Sequence, residues 1–460
     1  MILGSKKMTN ASKQLLLEER ENFIALHPTS QILAKQAAKH FLYGVPMHWM
    51  NDWGTPTPLF VESAAGAHFT CADGIDYTDF CLGDTGAMFG HSPLGVAKAI
   101  ANRLYRYASI YTGAKRGQSF KRFFWARLLA VCQYCNRCQS VCFALRARSQ
   151  IAKKVLVFDG CYHGTVGDAM IDMAFIDDSM LENINGKNIN RKSLLGQVQD
   201  LTLYSQAAPF NDLAAIERAL KTNHFAALLT EPALTNSGMV LPQDGFIESL
   251  RALCTKYCTL LILDETHTIS TAHCGWAKAH NITSDFLVVG KPIAGGLPAA
   301  AYGFSAEMSK KMKAAKHDAP PGHSGIGKTL SGNMMTLTAI YATLTETASE
   351  AAYRHMLTLA RLLEHQLNEA ISAHKLLWNI SRMGARLELQ FCKTKPINAK
   401  QARAAQNDII ESAIHLFLLN RGVLLTPFHN MMLVCPATNE ADVSKLIHTF
   451  KACLQALTSA

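Results

Sequence analysis

Two residues stand where chemistry is expected. Lys291 follows the apolar run Phe286 to Val289 directly, between Gly290 and Pro292 and ahead of Ile293-Ala294-Gly295-Gly296. Asp264 closes the apolar run before it, Leu260 to Leu263. A lysine partly desolvated at the end of a core strand can become the nucleophile of Schiff-base chemistry. A buried carboxylate at a strand end wants a cationic partner. A protonated pyridine nitrogen is such a partner, and pyridoxal phosphate needs an acid at that nitrogen to serve as an electron sink. Simpler readings stand beside these: a surface lysine in a loop, and Asp264-Glu265 as a strand-end cap or a metal-binding pair.

The elements that must position this pair follow a pattern. Val155 to Phe158 and Ala226 to Leu229 are two further apolar runs, followed by Asp159-Gly160 and Thr230-Glu231-Pro232. Buried strands alternating with helices indicate a parallel sheet, whose ligands gather at the carboxyl ends of the strands. The first forty residues read as amphipathic helix, 44 to 75 as an extended arm, and Phe69 to Phe80 as two short strands around Ala72-Asp73-Gly74. Helical periodicity returns at Pro93 to Tyr105 and at Thr336 to Leu376. A final α+β portion carries strands at Arg386 to Phe391 and Met431 to Val434.

Composition sets outer limits. The chain has 460 residues, 49% hydrophobic and 17% charged, enough to bury a large core. No run approaches eighteen apolar residues and the start carries no secretory pattern, so a cytoplasmic enzyme with reduced thiols is expected. Lys and Arg number 45 against 35 Asp and Glu, a net charge of +10. Six of the basic residues (Lys115, Arg116, Lys121, Arg122, Arg127, Arg137) fall between Gly113 and Cys142, where no acid occurs. The rest is nearly balanced, which argues against a nucleic-acid partner.

Leu261 to Thr268 (LILDETHT) and Gly290 to Pro298 (GKPIAGGLP) resemble the class III pyridoxal-phosphate aminotransferases, a family that includes the glutamate-1-semialdehyde aminomutases. Gly83-Asp84 with Gly90-His91-Ser92-Pro93, Asp159 to Gly164, Glu231-Pro232 with Asn236, and Thr329 to Asn333 match in the family's order. The resemblance runs from about Pro46 to the C-terminus. It implies the fold type I architecture: α/β, with a mostly parallel seven-stranded sheet and a small α+β C-terminal domain. The expected divisions are 1–75 (helix and arm), 76–335 (cofactor-binding domain) and 336–460 (helical linker and small domain).

The resemblance also implies roles. Lys291 carries the cofactor and shuttles the proton, and Asp264 binds the pyridine nitrogen. Tyr162 stacks on the ring, Thr266 packs against its opposite face, and His267 lies near the phenolic oxygen. Gly160 and His163 complete the cofactor-binding turn, His163 reading equally as an ordinary turn histidine. Thr329 matches the residue that reaches the phosphate from the neighbouring subunit, which implies a homodimer with shared active sites. Trp49, Arg386 and Glu231 are candidates for small amino and oxo substrates. Arg386 could instead form a structural salt bridge with Glu388 or another acid. The implied reaction is amino-group transfer, with intramolecular aminomutation as the alternative. More distant alternatives are an inactive homologue and a metal-binding protein.

One stretch departs from the family. A Ser/Thr/Gly-rich phosphate cup belongs before the Val155 strand, with backbone amides facing the phosphate. Cys132, Cys135, Cys138 and Cys142 stand there instead. Their spacing, C-x2-C-x2-C-x3-C, is that of an iron–sulfur ligand run, although Phe143 replaces the usual proline. A one-nucleotide shift across Leu128 to Cys142, with permitted codons, reads YWQFANTATDANRF. That string supplies Thr-Ala-Thr-Asp-Ala-Asn as the missing cup. It also accounts for the missing acids, the excess bases and the clustered cysteines. The written frame resumes at about Phe143-Ala144-Leu145-Arg146. A frameshifted or misread segment is therefore expected over 113–142, the alternatives being a cluster site or a divergent insertion.

Overall fold

The computed structural model describes residues 4–104, 127–132, 154–164, 166–173, 188–190, 199–317 and 330–459. The chain divides into two compact units. The larger comprises Gly95–Ser349 and Pro396–Ala404, the smaller Met1–Leu94, Glu350–Lys395 and Ala405–Ala460.

The larger unit is built on seven strands: β1 (Arg127–Cys132), β2 (Lys154–Phe158), β3 (Ser205–Ala208), β4 (Phe225–Thr230), β5 (Leu260–Asp264), β6 (Phe286–Val289) and β7 (Ala300–Phe304). Their spatial order is β1-β7-β6-β5-β4-β2-β3. Only β7 runs against the others, pairing antiparallel with β6 and β1. The other four pairs are parallel. Every residue of β4, β5, β6 and β7 is buried, which is why these strands read as unbroken apolar runs without alternation. The register sets Leu263 opposite Thr230 and Leu287, and Asp264 opposite Val288. The carboxyl ends of three neighbouring strands thus lie level, and Glu231, Asp264 and Lys291 emerge along one edge.

Helices cover the sheet. Leu213–Leu220 starts on Asp212, whose carboxylate accepts from the Ala215 amide at 2.8 Å, an N-cap. Phe158, Phe210 and Phe246 stack edge-on with centroids 4.8 to 5.9 Å apart and fasten β2 to the helix Phe246–Lys256. The helical stretch expected over 336–376 is interrupted. Met334–Ala342 runs into a π turn at Thr343–Thr347, closed by the Ala348 amide on the Thr343 carbonyl, before Glu350–Ala373 begins in the smaller unit.

In the smaller unit, Val61–Ala65, His68–Cys71 and Asp76–Asp79 form an antiparallel sheet that turns at Gly74. Val423–Leu424 adds a fourth strand parallel to Asp76–Asp79. A second sheet joins Asn379–Met383, Arg386–Gln390 and Met431–Leu433. Phe23 of the first helix packs with Phe69, Tyr77, Leu416 and Leu419 in one core. The N-terminal segment therefore groups with the C-terminal residues instead of forming a part of its own. The stretch read as an extended arm holds two 3-10 turns, Leu42–Gly44 and His48–Asp52, and the first strand pair.

Among the described residues no helix is long and apolar enough to cross a membrane. Among the same residues no group of His, Cys, Asp or Glu is placed to hold a metal ion. The backbone of Cys132 ends β1; Cys135, Cys138 and Cys142 lie outside the described residues.

Candidate active site

Asp264 ends β5 and is 4% exposed. Its Oδ1 accepts from the Thr266 amide at 3.0 Å, and its Oδ2 meets His163 Nδ1 at 3.0 Å. Burial works against a proton on His163, but the neighbouring Cys161 and Asp264 side chains outweigh it and push its pKa up to about 10. His163 is thus set against the Asp264 carboxylate, the contact that favours its protonated form. Its other nitrogen, Nε2, is buried and finds no hydrogen-bond partner among the described residues.

The turn that carries His163 leaves β2 at Asp159. Burial raises the Asp159 pKa, the Arg403 guanidinium beside it opposes this, and the Met173 amide donates to its Oδ1 at 2.9 Å. Gly160 follows with φ +77, and a Cβ there would sit 2.5 Å from Ala399 Cβ and 2.6 Å from Ser237 Oγ, so no side chain fits. Ser237 Oγ donates to the Gly160 carbonyl at 2.7 Å. The Tyr162 amide donates to Glu231 Oε1 at 3.2 Å, while the side chain of Tyr162 remains partly exposed.

Glu231 was a substrate candidate, but both of its oxygens are used inside the fold. Oε1 braces Tyr162, and Oε2 accepts from the amide and hydroxyl of Thr235. It is 2% exposed, and burial raises its pKa against the opposing effects of His163 and Thr235. This carboxylate braces the Tyr162 turn.

Lys291 opens the 3-10 turn Lys291–Ala294 in the left-handed region, at φ +47. A non-glycine residue there carries on the order of 1 kcal/mol of strain or more, of a kind that clusters at functional sites. Its Nζ lies 2.9 Å from His267 Nε2. His267 and Thr266 are both buried, just past the end of β5. Glu265, next to Asp264, is buried, and its oxygens accept from the Trp276 and Ala277 amides; burial pushes its pKa up to about 7.

Two further candidates belong to the smaller unit. Trp49 belongs to the turn His48–Asp52 of the smaller unit. Arg386 begins a strand of that unit, is 2% exposed, donates to Thr85 Oγ1, and has Asp84 Oδ1 at 4.0 Å. Asp84 thus supplies an acid within ion-pair reach, and the Arg386 charge also acts on buried Glu388, opposing the rise that burial gives its pKa. Thr329 lies outside the described residues. Sequence reasoning missed the brace from Glu231, the Arg403 contact with Asp159, and the Lys291 contact with His267. The first two join residues 69 and 244 positions apart and leave no local pattern. The third could have been suspected from a histidine three residues past a strand-end aspartate.

The residues present fit pyridoxal phosphate at two ends. An amine ends β6, and on the adjacent strand a buried carboxylate is held by two donors, as a ring nitrogen requires.

The comparisons agree with this geometry. Residues 49–454 match the family model described as aminotransferase class-III. A glutamate-1-semialdehyde 2,1-aminomutase of Anaeromyxobacter sp. (strain Fw109-5) is 29% identical over 408 residues, covering 86% of this chain and 90% of the relative. The crystal structure of a glutamate-1-semialdehyde-aminomutase from Pseudomonas aeruginosa PAO1 superposes with a TM-score of 0.92 at 38% identity. It covers 97% of this chain and 99% of its own, and a lysine-to-alanine variant of that protein has been solved in complex with PMP. Family model, relatives and fold converge, and this chain belongs to the class III aminotransferases, enzymes dependent on pyridoxal phosphate.

Proposed function

We propose that the protein moves an amino group between an amino compound and an oxo compound, with Lys291 and Asp264 as its central pair. The observation that carries this reading is a strained lysine at the end of β6 beside a buried, doubly hydrogen-bonded aspartate at the end of β5. Pyridoxal phosphate, when bound, supplies the electron sink and an aldehyde–amine cycle.

The residues around it divide the work. Lys291 is the residue that would hold the cofactor covalently, and its Nζ, once released, takes a proton from the substrate carbon and returns it. Asp264 keeps a negative charge at the ring nitrogen, and His163 orients that carboxylate. Tyr162 and Thr266 supply the two faces of the ring site, Gly160 gives the turn room, and His267 sits beside the lysine. The phosphate falls to the shifted-frame cup and to Thr329 of a neighbouring copy, which makes a cytoplasmic homodimer part of this reading.

The names of the relatives favour a second reading, in which one molecule both gives and receives the amine. The test is to offer glutamate-1-semialdehyde alone, and then separate amino donors with oxo acceptors. Isomerisation without a second substrate favours the aminomutase. Turnover that needs a donor and an acceptor favours the transaminase. Failure of both, with cofactor bound, would overturn the proposal.

A further inference from the structure

The turn that carries Tyr162 and His163 is gripped at its base by a helix from far along the chain. Pro396–Ala404 belongs to the larger unit, and the helix Ala399–Ala405 begins there. Asn398 caps it, its side-chain oxygen accepting from the Gln401 amide at 3.0 Å, and Gln401 Oε1 accepts from the Ile397 amide at 3.0 Å. The Ile397 carbonyl accepts from Asn211 Nδ2 at 2.9 Å, which anchors the start of the helix just past β3. Ala399 and Arg403 are four residues apart and so share one helix face. Ala399 is buried and closes the space beside Gly160, and Arg403 donates from Nη2 to Asp159 Oδ2. One face thus holds two consecutive residues, Asp159 and Gly160, where the chain leaves β2. The turn beyond them is tight, the Cys161 amide returning to the Phe158 carbonyl at 3.1 Å. A shift at Asp159 therefore passes within four residues to the imidazole that meets Asp264.

Resting on the proposed role of Asp264 at the ring nitrogen, we propose that Arg403 is a positioning residue of the cofactor site. It acts through Asp159, fixing the turn that sets His163 against Asp264. Asp159 is buried, and its Oδ1 already accepts from the Met173 amide. Without the guanidinium, the buried carboxylate loses a charged donor at Oδ2, and leaving such a group short of donors is costly. The turn then loosens at its base, although Ser237 and Glu231 still hold it further on.

The test uses the full chain without cofactor and compares it with Arg403→Ala and Arg403→Lys. Amide hydrogen exchange, read by peptide mass spectrometry, should rise about tenfold or more over Asp159 to Gly164 in Arg403→Ala, the scale of losing one hydrogen bond to a charged group. Exchange over Phe225–Thr230 and Leu260–Asp264 should stay as it was. Arg403→Lys, which keeps the charge and a donor, should restore most of the protection. Imidazole NMR gives a second reading. The His163 resonance, assigned by its loss in His163→Gln, should move in Arg403→Ala and return in Arg403→Lys. The resonance of His27, whose Nε2 meets the Tyr77 hydroxyl at 2.7 Å in the smaller unit, should stay fixed throughout. Unchanged exchange over the turn, a His163 resonance that ignores Arg403→Ala, or exchange that rises equally across the larger unit would each overturn the proposal. Should Arg403→Ala fail to fold, Asp159→Asn removes the charge at the other end of the contact while keeping the shape, and the same two readings decide. Borohydride reduction of the cofactor-loaded protein keeps the two ideas apart. A label on a lysine other than Lys291 defeats the proposed function, whereas a label on Lys291 with an unmoved His163 resonance defeats only the role of Arg403.

Discussion

His163 and Asp264 come from different strand ends, 101 positions apart in the chain, and meet at 3.0 Å with both side chains almost fully buried. That contact and the Thr266 amide hold the carboxylate in one orientation at the end of β5. Asp264→Asn keeps the shape and removes the charge. Turnover is expected to fall by about a thousandfold or more, the scale of losing an electrostatic group aimed at the reacting centre. Cofactor affinity should fall much less. Rapid-scan absorbance and a cofactor titration measure the two separately, and near-normal turnover would show that the carboxylate has some other part.

Lys291→Ala is expected to abolish the covalent link and nearly all turnover, because capture and proton transfer use the same nitrogen. The absorbance band of the bound cofactor should move to that of the free aldehyde. Borohydride followed by peptide mapping should leave no labelled lysine.

The chain as written should bind pyridoxal phosphate weakly. A phosphate dianion draws much of its affinity from a row of amide donors at a helix start, and the written residues 132–142 do not supply the family's cup. A version carrying the shifted reading, with Thr-Ala-Thr-Asp-Ala-Asn in place, should titrate as a tightly binding yellow protein. Equal tight binding by both versions would refute the frameshift reading. Iron with acid-labile sulfide in the written version would favour a cluster instead.

Acid should weaken the fold through two histidines of the smaller unit. Burial lowers the pKa of His415 to about 4. Burial also lowers that of His429 to about 4, with Arg386 acting in the same direction and Asp84 against it. An unfolded histidine takes its proton near 6.5, so between about pH 6.5 and pH 4 the unfolded chain binds protons that the native chain refuses. Stability contributed by these neutral rings is complete above pH 6.5 and lost as the pH falls toward 4. Urea midpoints measured across that range should decline, and His415→Leu should flatten the decline. An unchanged slope would mean that His415 is not buried in its neutral form.

Lys291 and Asp264 stand out as candidates in the sequence because each closes or follows an apolar run that forms a fully buried strand, and a charge at such a boundary is visible in a linear string. The parallel sheet was legible for the same reason. The hydrogen bond from the Tyr162 amide to Glu231 was not legible, because the two become neighbours only when β2 and β4 lie side by side. The grouping of the N-terminal helix with the C-terminal residues was not legible either. Phe23 finds Leu416 and Leu419 across nearly the whole length of the chain, and amphipathic periodicity records that a face is covered, not by what.

The chain enters the smaller unit three times, and Pro396–Ala404 belongs to the larger one although both flanks belong to the smaller. During synthesis the hairpin of His68–Cys71 and Asp76–Asp79 therefore leaves the ribosome long before Val423–Leu424, the strand that covers its edge. That edge must wait, unpaired, while the whole cofactor-bearing sheet is made. A nascent chain of this kind depends on being kept from its neighbours until its last residues arrive.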